Sequence, residues 1–475
     1  MDIARKKDKS KAVVKGTVNL GTRKPLPARA AQDSLPIPAS DAPSVEDDGV
    51  TLISEQGDVV LAFEHKQDQV HKASFRVDGS RIRNASPYFQ LLLDPVRFEE
   101  GHRVATSLSD LKDRDLATIP TYQLPVVSIQ DIGRISPVKS ITLLLTDFLC
   151  LLHARPLANP HPPLSNLANL TVVADRFDCL PSLRSYVHSN RLFTLLDAKS
   201  PKIKSPLTEE RIRQRCFISL HLDYPPWVLT STQRLIQRTS FLVPLDTAPA
   251  WQDLPASLEE ELFFRRCALL DTIQSLQAYF LGKYTSRTRQ CRLGYDSSAA
   301  CDSFQLGETV KFFSRAGTLA LTSPLVPPVY TSNTEQSNAR RDDVEEDQGY
   351  EGDLLDLVEK LRMCPEYQVD SNHHHCGIRT RLIPLLDLVE KAIEDVGVCA
   401  ECWKDWRGEY AWRETKRPLV WRRDERGSAM GGLDPARRCL NRHVGVRDMC
   451  LARERVWERP REEGGYEAGW MTSRK

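Results

Sequence analysis

The sequence predicts an α+β protein: a small sheet with a helical cluster, followed by a mostly α-helical C-terminal half, between disordered termini. Three observations predict it. Short apolar or alternating runs of strand length occupy residues 58–63, 74–77 and 124–129. Apolar residues spaced by three and four recur from residue 137 onward, with proline in the first turn of several segments, where a missing N–H costs little. Residues 1–50 are rich in Lys and then in Pro, Ala and Ser, and residues 413–475 in Arg, Glu and Gly, with too few periodic apolar side chains to offset chain entropy.

In chain order, the strand at 58–63 follows a glycine, and 74–77 turns at Asp78-Gly79. Ile82, Ala85, Tyr88 or Phe89 and Leu92 then predict one helix from residue 80, with Pro87 as its flaw. After the third strand come helices at 137–153, 163–177 and 181–190, which complete a first domain over 51–200. A helical domain follows over 201–330, with helices at 209–222, 226–239, 256–284 and 304–321. Residues 331–352, including Asp342-Asp343-Val344-Glu345-Glu346-Asp347, read as a solvated acidic linker. The heptapeptide Leu-Leu-Asp-Leu-Val-Glu-Lys occurs at 354–360 and again at 385–391, which reads as two amphipathic helices inside a Cys/His segment, 353–412.

Composition narrows the function classes. With 475 residues there is room for two or three domains, and 41% hydrophobic content permits sizeable cores. A net charge of +1 exerts no global pull toward nucleic acid or membrane. The Lys-rich start has no sustained apolar run, and the apolar stretch 141–152 is interrupted by Asp147 and falls short of the roughly 20 residues a bilayer requires. An intracellular protein of nucleus or cytoplasm, without a membrane partner, is expected. Its 12 cysteines should then be reduced, so that clusters among them point to metal.

The phrases Asp58-Val59-Val60-Leu61, Phe75-x-Val77, Arg83-Asn84-Ala85-Ser86-Pro87-Tyr88-Phe89, Leu91-Leu92 and Leu170-x-x-Val173-Ala174-Asp175-Arg176-Phe177 follow one another in the order of a known domain. Residues 58–189 resemble the BTB/POZ domain. The stretch from Asp94 to Gln123 is longer than that family's usual connection, and its His-Lys phrase is represented by His71-Lys72. The resemblance implies a non-enzymatic protein-interaction module that forms a homodimer or serves as an adaptor. In BTB proteins that recruit cullin-type ubiquitin ligases, a loop carries an apolar-x-acid triplet where this chain has Phe98-Glu99-Glu100. Phe98 and Glu100 are thereby implicated in partner binding, in a ubiquitin-ligase substrate receptor. Residues 290–403 resemble the C-terminal half of fungal BTB-domain proteins of unassigned role.

Catalytic signatures are missing: there is no G-x-S-x-G, P-loop, G-x-G-x-x-G or H-E-x-x-H, and Ser136-x-x-Lys139 lacks its companions. The chemistry lies in Cys364, His373-His374-His375-Cys376 and Cys399-x-x-Cys402, because C-x-x-C presents two thiolates to one zinc. Cys291 and Cys301 are further ligand candidates. One structural zinc centre is expected, with Cys376, Cys399 and Cys402 converging and His373 or Cys364 in fourth place. That convergence requires the intervening helix to begin near Pro384, since an unbroken helix over 378–395 would hold the two pairs apart. The alternative reading is a zinc-dependent nucleic-acid-binding or transcriptional regulator, supported by Arg379-Thr380-Arg381 and the Arg-rich tail, with a zinc hydrolase third.

Overall fold

Val59, Leu61 and Phe63 alternate with more polar or oppositely facing neighbours, and burying those three on one face draws the chain into strand β3 (Val59–Lys66). It pairs antiparallel with β4 (Val70–Val77), Leu61 facing Phe75, and parallel with β5 (Val126–Ile129), Leu61 facing Val127. Two short strands extend the sheet on the β4 side: β1 (Ser44–Val45) and β2 (Val50–Leu52) give the order β1-β2-β4-β3-β5. The computed structural model describes residues 44–458 except 46–48, 67–69, 113, 139, 200–206, 239–248, 253, 292–297, 320–349, 351, 374–375 and 424–437. The basic tail, most of the acidic linker and the last 17 residues of the chain, 459–475, therefore lie outside the described residues.

The helix expected from residue 80 is instead two, α1 (Gly79–Ala85) and α2 (Pro87–Leu92). Pro87 has no N–H with which to continue α1, and Ser86 turns the break into a cap. Its hydroxyl accepts from the Phe89 amide at 3.2 Å and donates to the Phe177 carbonyl at 2.7 Å. The long connection that follows folds as α3 (Glu99–Asp110) and two short 3-10 turns, and the buried Arg76 guanidinium ties it to the sheet by donating to the Ile119 carbonyl at 3.0 Å. Helices α4 (Ile141–Leu152), α5 (Leu164–Arg176), α6 (Leu180–Ser189) and α7 (Leu192–Lys199) complete the first half. The first of these starts later than Pro137, because the Ser140 side chain caps the Leu143 amide. Phe177 sits at the centre of this half's core, stacked on Phe89 at 5.4 Å and touching Phe63, Tyr88 and Phe148.

Helices α8 (Glu209–His221) and α9 (Pro225–Arg238) lead into α10 (Ala256–Thr285), a 30-residue rod of about 45 Å. Around it lie α11 (Ser298–Arg315), α12 (Leu354–Arg362), α13 (Arg379–Glu394), α14 (Ala400–Asp405) and α15 (Arg407–Tyr410). The C-terminal region was expected to have no fold, yet it forms β6 (Val420–Arg422), α16 (Arg438–Leu451) and β7 (Glu454–Val456), with β6 and β7 paired parallel. Its order comes from burial of scattered large side chains: Trp421, Met449, Leu451 and Trp457 join the core that lines α10, α12 and α13. Among the described residues no helix is long and apolar enough to cross a membrane.

Helix α13 begins at Arg379 and carries Pro384 in its interior, which corrects the expected start. Proline there forgoes one helical hydrogen bond, but Leu382, Leu385 and Leu386 are buried on both sides of it, and their packing outweighs the loss. On α10, Glu261 and Arg265 form an ion pair of 2.7 Å with each side chain 1% exposed. Glu261→Ala leaves the Arg265 charge buried without its partner. The expected outcome is a loss of about 3–5 kcal/mol in denaturant unfolding; a loss below about 1 kcal/mol would show that the pair is dispensable.

Candidate metal centres

Among the described residues, eight side chains of the C-terminal half gather into two groups of three cysteines and one histidine. The ligand atoms within each group lie within 4.8 Å of one another. In the first, Cys291 follows the end of α10, Cys301 lies in the first turn of α11, His373 ends a short 3-10 turn, and Cys376 precedes α13. Cys291 Sγ stands 3.8 Å from Cys376 Sγ and 3.5 Å from His373 Nδ1, and Cys376 Sγ is 3.7 Å from the same nitrogen. All four are buried.

The backbone around this group is held from several directions. The Cys376 amide donates to the His373 carbonyl at 3.0 Å, closing a turn that sets His-x-x-Cys on one side. Tyr284 of α10 donates its hydroxyl to the Cys376 carbonyl at 3.2 Å, and Arg381 donates to the Gln290 carbonyl at 2.9 Å, fixing the residue before Cys291. Burial first, then the neighbouring Cys376 and Cys291, pushes the Cys301 thiol well above its ordinary range. A divalent cation beside it would reverse that preference.

The second group takes Cys399 and Cys402 from the start of α14 and Cys439 and His443 from α16. Cys439 and His443 are four residues apart on a helix and so share a face. Cys399 Sγ is 3.7 Å from Cys439 Sγ, and Cys439 Sγ is 3.6 Å from His443 Nε2. Cys402 is buried, whereas the other three are partly exposed. A hydrogen bond from His443 is the main cause that brings the Cys399 thiol down to about 6, against burial, with the Cys402 amide assisting. The Cys399 amide itself donates to the Tyr410 oxygen at 2.7 Å.

These spacings bear on which ions fit. A tetrahedral ion with sulfur at about 2.3 Å and imidazole nitrogen at about 2.0 Å separates two sulfurs by about 3.8 Å and a sulfur from a nitrogen by about 3.5 Å. The five edges given above lie close to these values, and a disulfide would require about 2 Å. Either group could hold a metal ion.

The single expected centre is thus divided. His373 and Cys376 belong to one group, Cys399 and Cys402 to the other, because α13 stands between them as a 16-residue rod of about 24 Å. Cys364 joins neither: its thiol is directed at the Pro365 carbonyl 3.6 Å away, and burial pushes it up to about 12. Cys439 and His443 were missed because their surroundings show no apolar period, although Cys-x-x-x-His following Cys-x-x-Cys is a readable ligand spacing.

Phe98 and Glu100 lie at the junction of a loop and α3 rather than within a loop. Phe98 is the N-cap residue, 47% exposed, and Glu99 and Glu100 form the first helical turn, Glu100 standing 3.6 Å from Arg103. The connection from α2 folds tightly here, since a Cβ on Gly101 would meet the Asp94 carbonyl oxygen at 2.3 Å. Val96, two residues before Phe98 in the chain, is 91% exposed.

No protein-family model matches this chain, and neither the curated proteins nor the solved structures yield a match. Elemental analysis of protein purified without chelator should find two zinc ions per chain. Cys376→Ser and Cys439→Ser should each lower the content by one, and Cys364→Ser should leave it at two. Loss of both ions in either single variant would mean that the groups are not independent sites.

Proposed function

We propose that this chain is a non-enzymatic protein-interaction protein of BTB/POZ type, self-associating or acting as an adaptor for a cullin-type ubiquitin ligase, with a helical body that two structural zinc ions hold together. The observation that carries the reading is the exposed apolar pair Val96 and Phe98 with Glu99 and Glu100 immediately behind it. An aromatic anchor beside acidic groups suits a partner that offers an apolar pocket rimmed by basic residues. Its setting supports the family reading: a hairpin of β3 and β4, a broken helix pair, β5 returning parallel to β3, and then a helical cluster, the order that the sequence resemblance implies.

Zinc in either group would be surrounded by four protein ligands, leaving no position for a water nucleophile, which supports a structural role over hydrolysis. When bound, the metal supplies cross-links. Cys291, Cys301, His373 and Cys376 would fasten the end of α10 to the start of α13, and Cys399, Cys402, Cys439 and His443 would fasten α14 to α16. The nucleic-acid reading draws less support, because Arg379 and Arg381, which suggested it, spend donors on the protein's own carbonyls. Arg379 donates to the Arg362 carbonyl at 2.8 Å and Arg381 to Gln290.

Affinity capture of the full-length protein from its own cells should recover a cullin or a second, differently tagged copy of the chain. Phe98→Ala combined with Glu100→Lys should reduce cullin recovery about tenfold or more, a change of at least 1.4 kcal/mol, without lowering the unfolding temperature. Undiminished cullin recovery would remove Phe98 and Glu100 from the interface. Recovery of neither partner would end the adaptor reading.

A further inference from the structure

The two cysteine groups bring sulfurs equally close together but differ in what can reach them. Cys291 and Cys376 stand 3.8 Å apart inside the protein, with Cys301 and His373 buried beside them. Cys399 and Cys439 stand 3.7 Å apart, and both side chains are partly open to solvent, as is that of His443; only Cys402 is enclosed. The open pair comes from separate elements, Cys399 at the N-cap of α14 and Cys439 in the first turn of α16. Both elements are anchored without help from the sulfurs. The Cys399 carbonyl accepts from the Trp403 amide at 2.9 Å, and the Cys399 amide donates to the Tyr410 oxygen at 2.7 Å. Leu440, Val446 and Met449 bury α16 in the core around α10. Closing the two Sγ atoms from 3.7 Å to the about 2 Å of a disulfide is a displacement that side-chain rotation supplies.

We propose that Cys399 is a thiol-oxidation site, at which a hydroperoxide couples it to Cys439 as a disulfide and so opens the second cysteine group while the first stays reduced. The nucleophile in such chemistry is a thiolate, the same form in which a cysteine binds a metal. The Cys399 thiolate attacks one oxygen of the peroxide: an S–O bond forms, the O–O bond breaks, and the departing hydroxide takes a proton from solvent. Its sulfur gives up two electrons and becomes a sulfenic acid. The Cys439 thiolate then attacks that sulfur; the S–S bond forms, the S–O bond breaks, and the second hydroxide is protonated to water. For hydrogen peroxide the balance is two thiolates, one peroxide and two protons giving one disulfide and two waters. Cys402 and His443 are left, two ligands where a structural zinc site has four. Helices α14 and α16 stay joined, a covalent clasp replacing the metal one. The first group has a similar sulfur spacing, but its burial shields the sulfurs from peroxide. The disulfide requires only the two thiols, whereas the accompanying loss of metal rests on the zinc reading above.

The test takes the full-length chain as purified, measures its zinc, and adds hydrogen peroxide in slight molar excess. Released zinc is read with a colorimetric chelator, free thiols are alkylated, and disulfides are mapped by peptide mass spectrometry. The expected result is a disulfide between Cys399 and Cys439, release of one zinc ion, and alkylation of Cys291, Cys301 and Cys376, the second group reacting at least about tenfold faster than the first. A thiol reductant with added zinc should restore both thiols and the ion. Cys439→His keeps a ligating nitrogen and removes the second thiol, so it should retain both zinc ions and yield, in place of that disulfide, a Cys399 sulfenic acid trapped by dimedone. Where this variant does not fold, the peptide map of the unaltered chain decides. A chain purified without zinc would end the zinc reading alone, since the same map still shows whether Cys399 and Cys439 couple. A disulfide between Cys399 and Cys402, equal oxidation of the first group, or second-group thiols unchanged in about hundredfold peroxide excess would overturn the proposal.

Discussion

The buried pair of Glu261 and Arg265 on α10 is the constraint on which the C-terminal half is built. Burying two charges is costly, and here the cost is offset by the chain segments that frame the second cysteine group, which use the pair's donors and acceptors except Arg265 Nη2. Arg265 donates to the Val396 and Gly397 carbonyls at 2.8 and 3.2 Å, just before Cys399, and Glu261 accepts from the Trp412 and Arg413 amides at 2.8 and 3.1 Å, just after α15. The Tyr410 ring lies under the same guanidinium, and its oxygen receives the Cys399 amide. The next residue repeats the device on another side of the rod. Arg266 donates to the Ile236 and Gln237 carbonyls at the end of α9 and to those of Tyr350 and Gly352 ahead of α12.

With those segments placed, the cysteine groups close at the two ends of α13. Each joins stretches far apart in sequence, Cys291 with Cys376 and Cys399 with Cys439, so that any ion they hold acts on the unfolded chain as a loop closure as well as on the folded one as a set of bonds. The two enclosures differ in a way that follows from their walls. The first lies wholly inside, between α10, α11 and α13; the second is closed on one side by α16, which leaves Cys399, Cys439 and His443 partly open to solvent.

The two halves of the chain are not independent bodies. Helix α8 turns Ile212 and Cys216 toward the core around α10, and Phe217, Ile218 and Leu222 toward the core around Phe177. Sharing a helix between cores couples the sheet region to the region of the cysteine groups through side-chain packing.

What the sequence determined by itself is the local content. Alternation at Val59, Leu61 and Phe63, prolines at helix starts and three-four spacing from Leu258 to Phe280 are near-neighbour patterns, and strands and helices appear where those patterns lie. The cysteine pairs at Cys399 and Cys402 and at His373 and Cys376 were legible for the same reason, since metal-ligand spacing is a local property. What only the tertiary structure decided is which pairs meet. Pro384 would start a helix in isolation, but burial of Leu382 on one side of it and Leu385 and Leu386 on the other carries α13 back to Arg379, and the lengthened rod separates the two pairs. Their partners then come from Cys291 and Cys301, 72 or more residues before His373, and from Cys439 and His443 in a region whose order rests on a few large buried side chains instead of a period. Periodicity reports only how a segment presents itself to a neighbour; the identity of that neighbour is set by packing free energy summed over distant contacts, which no local pattern records.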